Sequence, residues 1–382
     1  MMPFALPSLF LTLLSFVFWI LTVQIGPNIV LNTYAQAARR FLDLASPYQA
    51  YAVNLDQFKY SPLFAWGFGG LMTFTQEFGV EHWRSTLQVW TLVNSFLFWL
   101  GVCRWIDFRK SRPSWFWIFF SACFLSLDLC LWYAQSNALI VGLMLIGLAE
   151  FKEGRQGWAG FFLALATNLK VFPFFLALLL FKQGNRRYFS VFALTLITSL
   201  FVPALHVGWQ PNLTFLKEWV EILGSDMQGR GILDLQTVLG QGRWLSFLIL
   251  GITSIGFWGR FSDRELPWIS AALSAILLTN PRTELPSFVI AGVALLFLVE
   301  TILERFKKWA WVIALPLFAV AYYLAFQESR FTAAKLVHGE MKTWGTLFIW
   351  VLGVILVTKQ STSVREYFLA LFGEHKEPID SN

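Results

Sequence analysis

Charge is what this sequence has least of. Asp, Glu, Lys and Arg make up 14% of its 382 residues, where a soluble domain carries about a quarter. Cysteine is scarce as well: Cys103, Cys123 and Cys130 are the whole complement, all inside apolar runs, with no CxxC or Cys/His spacing. That excludes a disulfide framework and a cysteine zinc site. The four histidines are scattered and no acidic pair stands at ligand spacing, so nothing asks for a divalent metal or another cofactor. No basic run with interleaved aromatics lies outside the apolar segments, which argues against a nucleic-acid partner. Internal repeats are absent, and no linker divides the chain.

What is present is apolar length. Hydrophobic residues reach 57% and aromatics 18%, and the mean hydropathy is +0.58. Runs long enough to span a bilayer recur along the whole chain. In lipid every backbone polar group must be satisfied internally, which helices do. The expected fold class is all-α: a polytopic transmembrane helical bundle. Many of the 19 Trp and 40 Phe lie at segment ends, as interfacial belts and helix packing require. The formal charge of +6 reads as Lys and Arg anchoring loops against anionic membrane lipids. The first run, residues 4–25, is too long for a signal-peptide core and lacks a basic n-region and a small-residue cleavage site. It reads as a retained helix.

Within residues 26–60, Tyr34, Ala37, Ala38, Phe41 and Leu42 recur at helical spacing around Arg39, Arg40 and Asp43. This predicts an amphipathic surface helix in the first outer loop, ended by Pro47-Tyr48. Residues 61–78 are apolar but interrupted by Pro62 and three glycines, and read as a short helix or a re-entrant segment. After the span 85–103, Arg104, Arg109, Lys110 and Arg112 form a basic loop that the positive-inside rule places in the cytoplasm. Alternation from that anchor sends 114–132 out and 138–150 back. A hairpin of 158–167 and 171–181 follows. Then 188–205 goes out, 244–258 back, 267–279 out, 287–303 back, 309–326 out and 344–357 back. Short basic loops then share one side. The longer mixed-charge loops, 26–60, 206–243 and 327–343, share the other. The expected organisation is one transmembrane domain, 1–358, with a polar cytoplasmic tail, 359–382.

Two polar clusters interrupt this pattern. Tyr133, Gln135, Ser136 and Asn137 stand at the head of one apolar segment; Asn168 and Lys170, closed by Pro173, stand at the tip of the hairpin. Folded as helices, residues 133–174 bring Gln135, Asn137 and Lys170 to the same side of a membrane. The hairpin helices cover only roughly half of a ~30 Å core, which suits a bundle enclosing a cavity. A lone ammonium beside an amide pair is a place to hold a phosphate. Plainer readings fit as well. Lys170 can mark the interface by snorkelling, and Gln135 and Asn137 can cap the helix that starts there. Asp128, inside an apolar run, either faces a cavity or bonds a neighbouring helix. Glu300, near the inner end of its helix, has no assigned role.

Taken in order, these motifs resemble glycosyltransferase family 87, polyprenyl-phosphate-sugar-dependent GT-C transferases. The family's Gly-Gln-x-Asn is matched by Ala134-Gln135-Ser136-Asn137. Its small-residue hairpin is matched by Ala159-Gly160 through Ala164 and Ala166, and its Lys-Pro-x-Pro turn by Lys170-Val171-Phe172-Pro173. Lys59-Tyr60-Ser61-Pro62, Leu235-Gln236-Thr237 with Arg243, and Asn280-Pro281-Arg282 resemble further elements. The resemblance implies transfer of a sugar, mannose above all, from a polyprenyl-phosphate donor to a lipid or glycan acceptor. The site would face the periplasm from a bacterial cytoplasmic membrane. Such a transfer needs a cation for the departing phosphate and a carboxylate for the incoming hydroxyl. Lys170 is the candidate point charge, with Arg243 and Arg282 as forked donors. Both arginines also read as interfacial anchors. Tyr60, Gln135, Asn137 and Gln236 are candidate polar contacts to the sugar.

One position departs from the family. An Asp is expected about four residues before the Tyr of the outer-loop helix, and Val30 stands there. Asp43, Asp56, Asp234 and Glu284 are the carboxylates on the same side. Asp56, four residues before Tyr60, is the candidate base, although an exposed loop acid is the plainer reading of it. Two other functions stay open. The broken hairpin with polar residues at its tip also suits a lipid or lipid-linked-sugar transporter, which leaves its substrate intact. The missing acid keeps open a non-catalytic relative in envelope assembly, which tolerates loss of each carboxylate.

Overall fold

The computed structural model describes residues 2–22, 29–49, 57–76, 82–181, 183–226, 244–259, 265–280, 284–325 and 332–358. The apolar runs become helices: α1 (Met2–Thr22), α2 (Ile29–Leu42), α3 (Pro62–Gln76), α4 (His82–Cys103), α5 (Phe116–Trp132) and α6 (Asn137–Lys152). Then follow α7 (Gln156–Leu169), α8 (Pro173–Leu179), α9 (Arg186–Phe201), α10 (Ala204–Val207) and α11 (Trp209–Asp226). The last are α12 (Trp244–Gly259), α13 (Glu265–Thr279), α14 (Val289–Phe306), α15 (Ala310–Ala314), α16 (Leu317–Ala325) and α17 (Thr332–Thr358). No strand occurs among the described residues. Among the described residues, four helical stretches are long and apolar enough to cross a membrane: Phe4–Leu21, Arg84–Cys103, Arg186–Val207 and Pro286–Ala314. The chain is an all-α helical membrane protein.

Two helices form the centre. In α6 every residue from Asn137 to Phe151 is buried, and in α14 every residue from Val289 to Ile302. A helix that is apolar all round has to be buried on all sides. Accordingly α4 and α7 flank α6, while α5 and α13 flank α14. Gly142 lets α4 and α6 touch: a Cβ there would lie 2.3 Å from the Leu97 carbonyl oxygen. Gly160 does the same between α7 and α9, where a Cβ would lie 2.6 Å from the Tyr188 oxygen. The small-residue hairpin motif is therefore a packing surface.

The surface helix forms as expected. Leu31, Tyr34, Ala37, Ala38 and Phe41 of α2 are buried, on the face towards α3. Within 61–78, Pro62–Gln76 form a helix, α3, with Pro62 as its first residue, where its missing N–H has no helical partner to lose. Two of the stretches expected as outer loops are partly helical. Within 206–243, α11 buries Phe215, Trp219 and Ile222, one stripe at helical spacing. Within 327–343, α17 begins at Thr332. The span 309–326 divides into α15 and α16 just before Leu317, at Pro316, which cannot donate to the helix ladder. The tail 359–382 lies outside the described residues.

The basic loops gather at one end of the bundle. Arg104 pairs with Glu150 and Glu153, Arg155 also pairs with Glu150, and Lys152 pairs with Glu265. Arg112 meets Glu300 at 2.6 Å with both side chains buried, so Glu300, given no role above, has a structural partner. In the loop, Arg109 holds the Asp107 carboxyl below the usual carboxylate range by direct hydrogen bonds. The polar clusters of residues 133–137 and 168–170 occupy the opposite end.

Candidate active site

The corner between α5 and α6 sets the amides. Ala134 adopts φ +53°, in the left-handed region. Its N–H bonds the Leu131 carbonyl at 2.9 Å, and the Gln135 N–H bonds the Cys130 carbonyl at 3.0 Å. The Trp90 indole donates to the Ala134 carbonyl at 2.9 Å and braces the turn. Ser136 is the N-cap residue of α6, and it makes no side-chain cap bond. Gln135 and Asn137 are therefore not capping groups, and their side chains are committed elsewhere.

Lys170 reaches Asn137. After α7 its backbone is extended, with φ −152° and ψ 137°, and Pro173 opens α8. The Lys170 side chain is half-buried. Its Nζ donates to Asn137 Oδ1 at 2.9 Å and lies over the Tyr60 and Phe172 rings, 5.7 and 5.8 Å from their centroids, within cation–π range. This ammonium turns inward, so snorkelling does not describe it. The buried Asn137 donates through Nδ2 to Ser287 Oγ at 3.3 Å, tying α6 to the segment before α14.

A second chain of bonds runs alongside. Tyr34 OH donates to Tyr60 OH at 2.8 Å, and Tyr60 OH donates to Gln135 Oε1 at 3.3 Å. Gln135 Nε2 then donates to Glu284 Oε2 at 3.2 Å. Burial, with Tyr60 beside it, pushes the Tyr34 phenol well above its ordinary value. Tyr48 OH donates to the Tyr60 carbonyl at 2.7 Å, and the Trp219 indole donates to the Lys59 carbonyl at 3.0 Å. These bonds anchor the Tyr60 strap from outside. An ammonium and a carboxylate thus stand on amides two residues apart. Among the described residues, no ion pair joins them to each other.

The structure brings together Tyr60, Gln135, Asn137 and Lys170 from the sequence candidates. Asp56, Arg243, Arg282 and Gln236 lie outside the described residues, as does Asp234. Asn168 turns away and ties α7 to α9 through Ser199 and the Leu196 carbonyl. Asp43 is exposed at the end of α2, and Asp128 is buried within α5. Val30 is partly buried and packs against the core one turn before Tyr34. Ser287 and Glu284 join the cluster although no motif in the sequence singles out either. Their signal was a mostly polar stretch, 280–287, carrying Pro281 and Pro286 just ahead of a long apolar helix. No group of three or more His, Cys, Asp or Glu among the described residues could hold a metal ion.

The profile of glycosyltransferase family 87 matches residues 58–299. The chain belongs to glycosyltransferase family 87. This is a GT-C-type family of membrane glycosyltransferases. The matched span contains Tyr60, Gln135, Asn137, Lys170, Glu284 and Ser287, so apart from Tyr34 the cluster lies within the family 87 region. No curated protein matches the chain.

Proposed function

We propose that this family 87 membrane glycosyltransferase moves a sugar, mannose by family resemblance, from a polyprenyl-phosphate donor to a lipid or glycan acceptor. We place the reaction at the periplasmic face of a bacterial cytoplasmic membrane, opposite the basic loops. The observation that carries the reading is the Lys170 ammonium, held on Asn137 at 2.9 Å and turned inward. An ammonium has three donors, and Asn137 takes one. The others can meet a phosphate whose charge grows as the sugar leaves, which is where fixed charge accelerates a reaction. Arg243 and Arg282 add forked contacts to that phosphate. Tyr60, Gln135, Asn137 and Gln236 contact sugar hydroxyls. Attack by the acceptor oxygen in one displacement inverts the anomeric centre. No metal is needed for a donor with a single phosphate.

The test uses purified full-length protein with polyprenyl-phospho-mannose and follows release of polyprenyl phosphate. Lys170→Ala should lower turnover by about 10²–10³-fold, the range for losing one charge-stabilising donor. Full activity in that variant would remove Lys170 from the phosphate site. Donor that crosses the membrane intact would instead mark a transporter.

A further inference from the structure

We propose that Glu284 takes the proton from the acceptor hydroxyl, so that the base comes from the loop before α14 and not from the first outer loop. This rests on the transferase reading above. Where the family resemblance implies an acid, Val30 packs against the core, and a hydrocarbon accepts no proton. Glu284 is the carboxylate that joins the site among the described residues. Its Oε2 accepts from Gln135 at 3.2 Å while the residue stays exposed, so an acceptor can approach it. Asp43, the other described candidate, makes no side-chain bond to this cluster.

The placement of charge supports the same role. The hydrogen bonds give the two charged groups separate supports. Here Gln135 holds the carboxylate, Asn137 holds the ammonium, and no ion pair forms between them. In this scheme the anomeric carbon sits with its leaving phosphate towards Lys170 and its attacker towards Glu284. The acceptor O–H gives its proton to a Glu284 oxygen, and the acceptor oxygen bonds the anomeric carbon. The bond from that carbon to the phosphate oxygen breaks, and its electron pair leaves on polyprenyl phosphate. Gln135 is a positioning residue in this scheme: the Tyr34–Tyr60 chain fixes its carbonyl, which aims its N–H group at Glu284.

The experiment uses full-length protein, radiolabelled polyprenyl-phospho-mannose and octyl mannoside as the probe acceptor. Transfer and donor binding are measured separately. Glu284→Gln keeps an oxygen for the Gln135 amide but cannot take the proton. Transfer should fall about 10²–10⁴-fold, with donor affinity changed less than about threefold. Glu284→Asp, with charge on a shorter arm, should regain part of the loss. Equal transfer by wild type and Glu284→Gln overturns this inference and leaves the transferase reading standing. So does loss in Asp56→Asn with Glu284→Gln still active, which assigns the base to Asp56. Loss of donor binding in both Glu284 variants makes the residue structural and also overturns it. Wild-type protein that binds donor but releases no polyprenyl phosphate overturns the transferase reading and this inference together.

Discussion

Ala134 carries a methyl group in a backbone conformation that glycine adopts freely. The left-handed region costs a residue with a Cβ about 1–2 kcal/mol, and Ala134 sits there at φ +53°. The methyl is buried, which returns about 0.8 kcal/mol. Ala134→Gly is therefore expected to be neutral or to raise stability by up to about 1 kcal/mol, although glycine weakens most helical positions. Ala134→Val, β-branched at positive φ, should lower the melting temperature clearly. Thermal unfolding in detergent separates these outcomes. At this scale the sequence made half of the site legible. Gln135, Asn137 and Lys170 stand out because polar side chains at the ends of apolar runs need a reason. Glu284 did not, because its bond to Gln135 joins positions 149 residues apart, and no local spacing records such a pairing.

Between helices, the buried pair of Arg112 and Glu300 joins the start of α5 to α14. Removing one partner strands a charge away from water, which costs about 3–5 kcal/mol, whereas replacing both by apolar residues of similar volume is often neutral. Glu300→Gln should therefore destabilise the protein strongly. Adding Arg112→Met to Glu300→Leu should recover most of the loss in the same unfolding measurement. The elements were readable where apolar runs were unbroken, as in α4, α5 and α6. They were not readable at α11. Gln210, Asn212, Lys217, Glu218 and Glu221 dilute its hydropathy, and only the stripe of Phe215, Trp219 and Ile222 betrays the helix. The glycines in residues 61–78 suggested a break, yet α3 continues through them: two of the three, Gly67 and Gly70, face open space and the third meets only the Leu42 side chain.

Across the whole molecule, one end gathers arginine, lysine and their partners, and the other gathers tyrosine, amides, Lys170 and Glu284. We infer the first end to be cytoplasmic from the distribution of basic residues. All three cysteines are buried, so a membrane-impermeant maleimide meets little native background. Lys110→Cys should label only in inverted or opened vesicles, and Gln210→Cys, in exposed α11, should label in intact cells. The reverse pattern would turn the molecule over and put the site on the other face.

The brevity of α7 has a consequence for the lipid around it. Its 14 residues rise about 21 Å at 1.5 Å each, against a hydrocarbon layer of about 30 Å. The Lys170 tip then stops roughly 9 Å below the far boundary of that layer. Bilayers meet a short segment by thinning, at a fraction of a kcal/mol per ångström. In the topology inferred above, phospholipids beside α7 and α8 are expected to dip, bringing water and headgroups down towards the ammonium. Under the proposed function, an isoprenoid-borne phosphate would then enter sideways, without ever leaving the leaflet in which it diffuses.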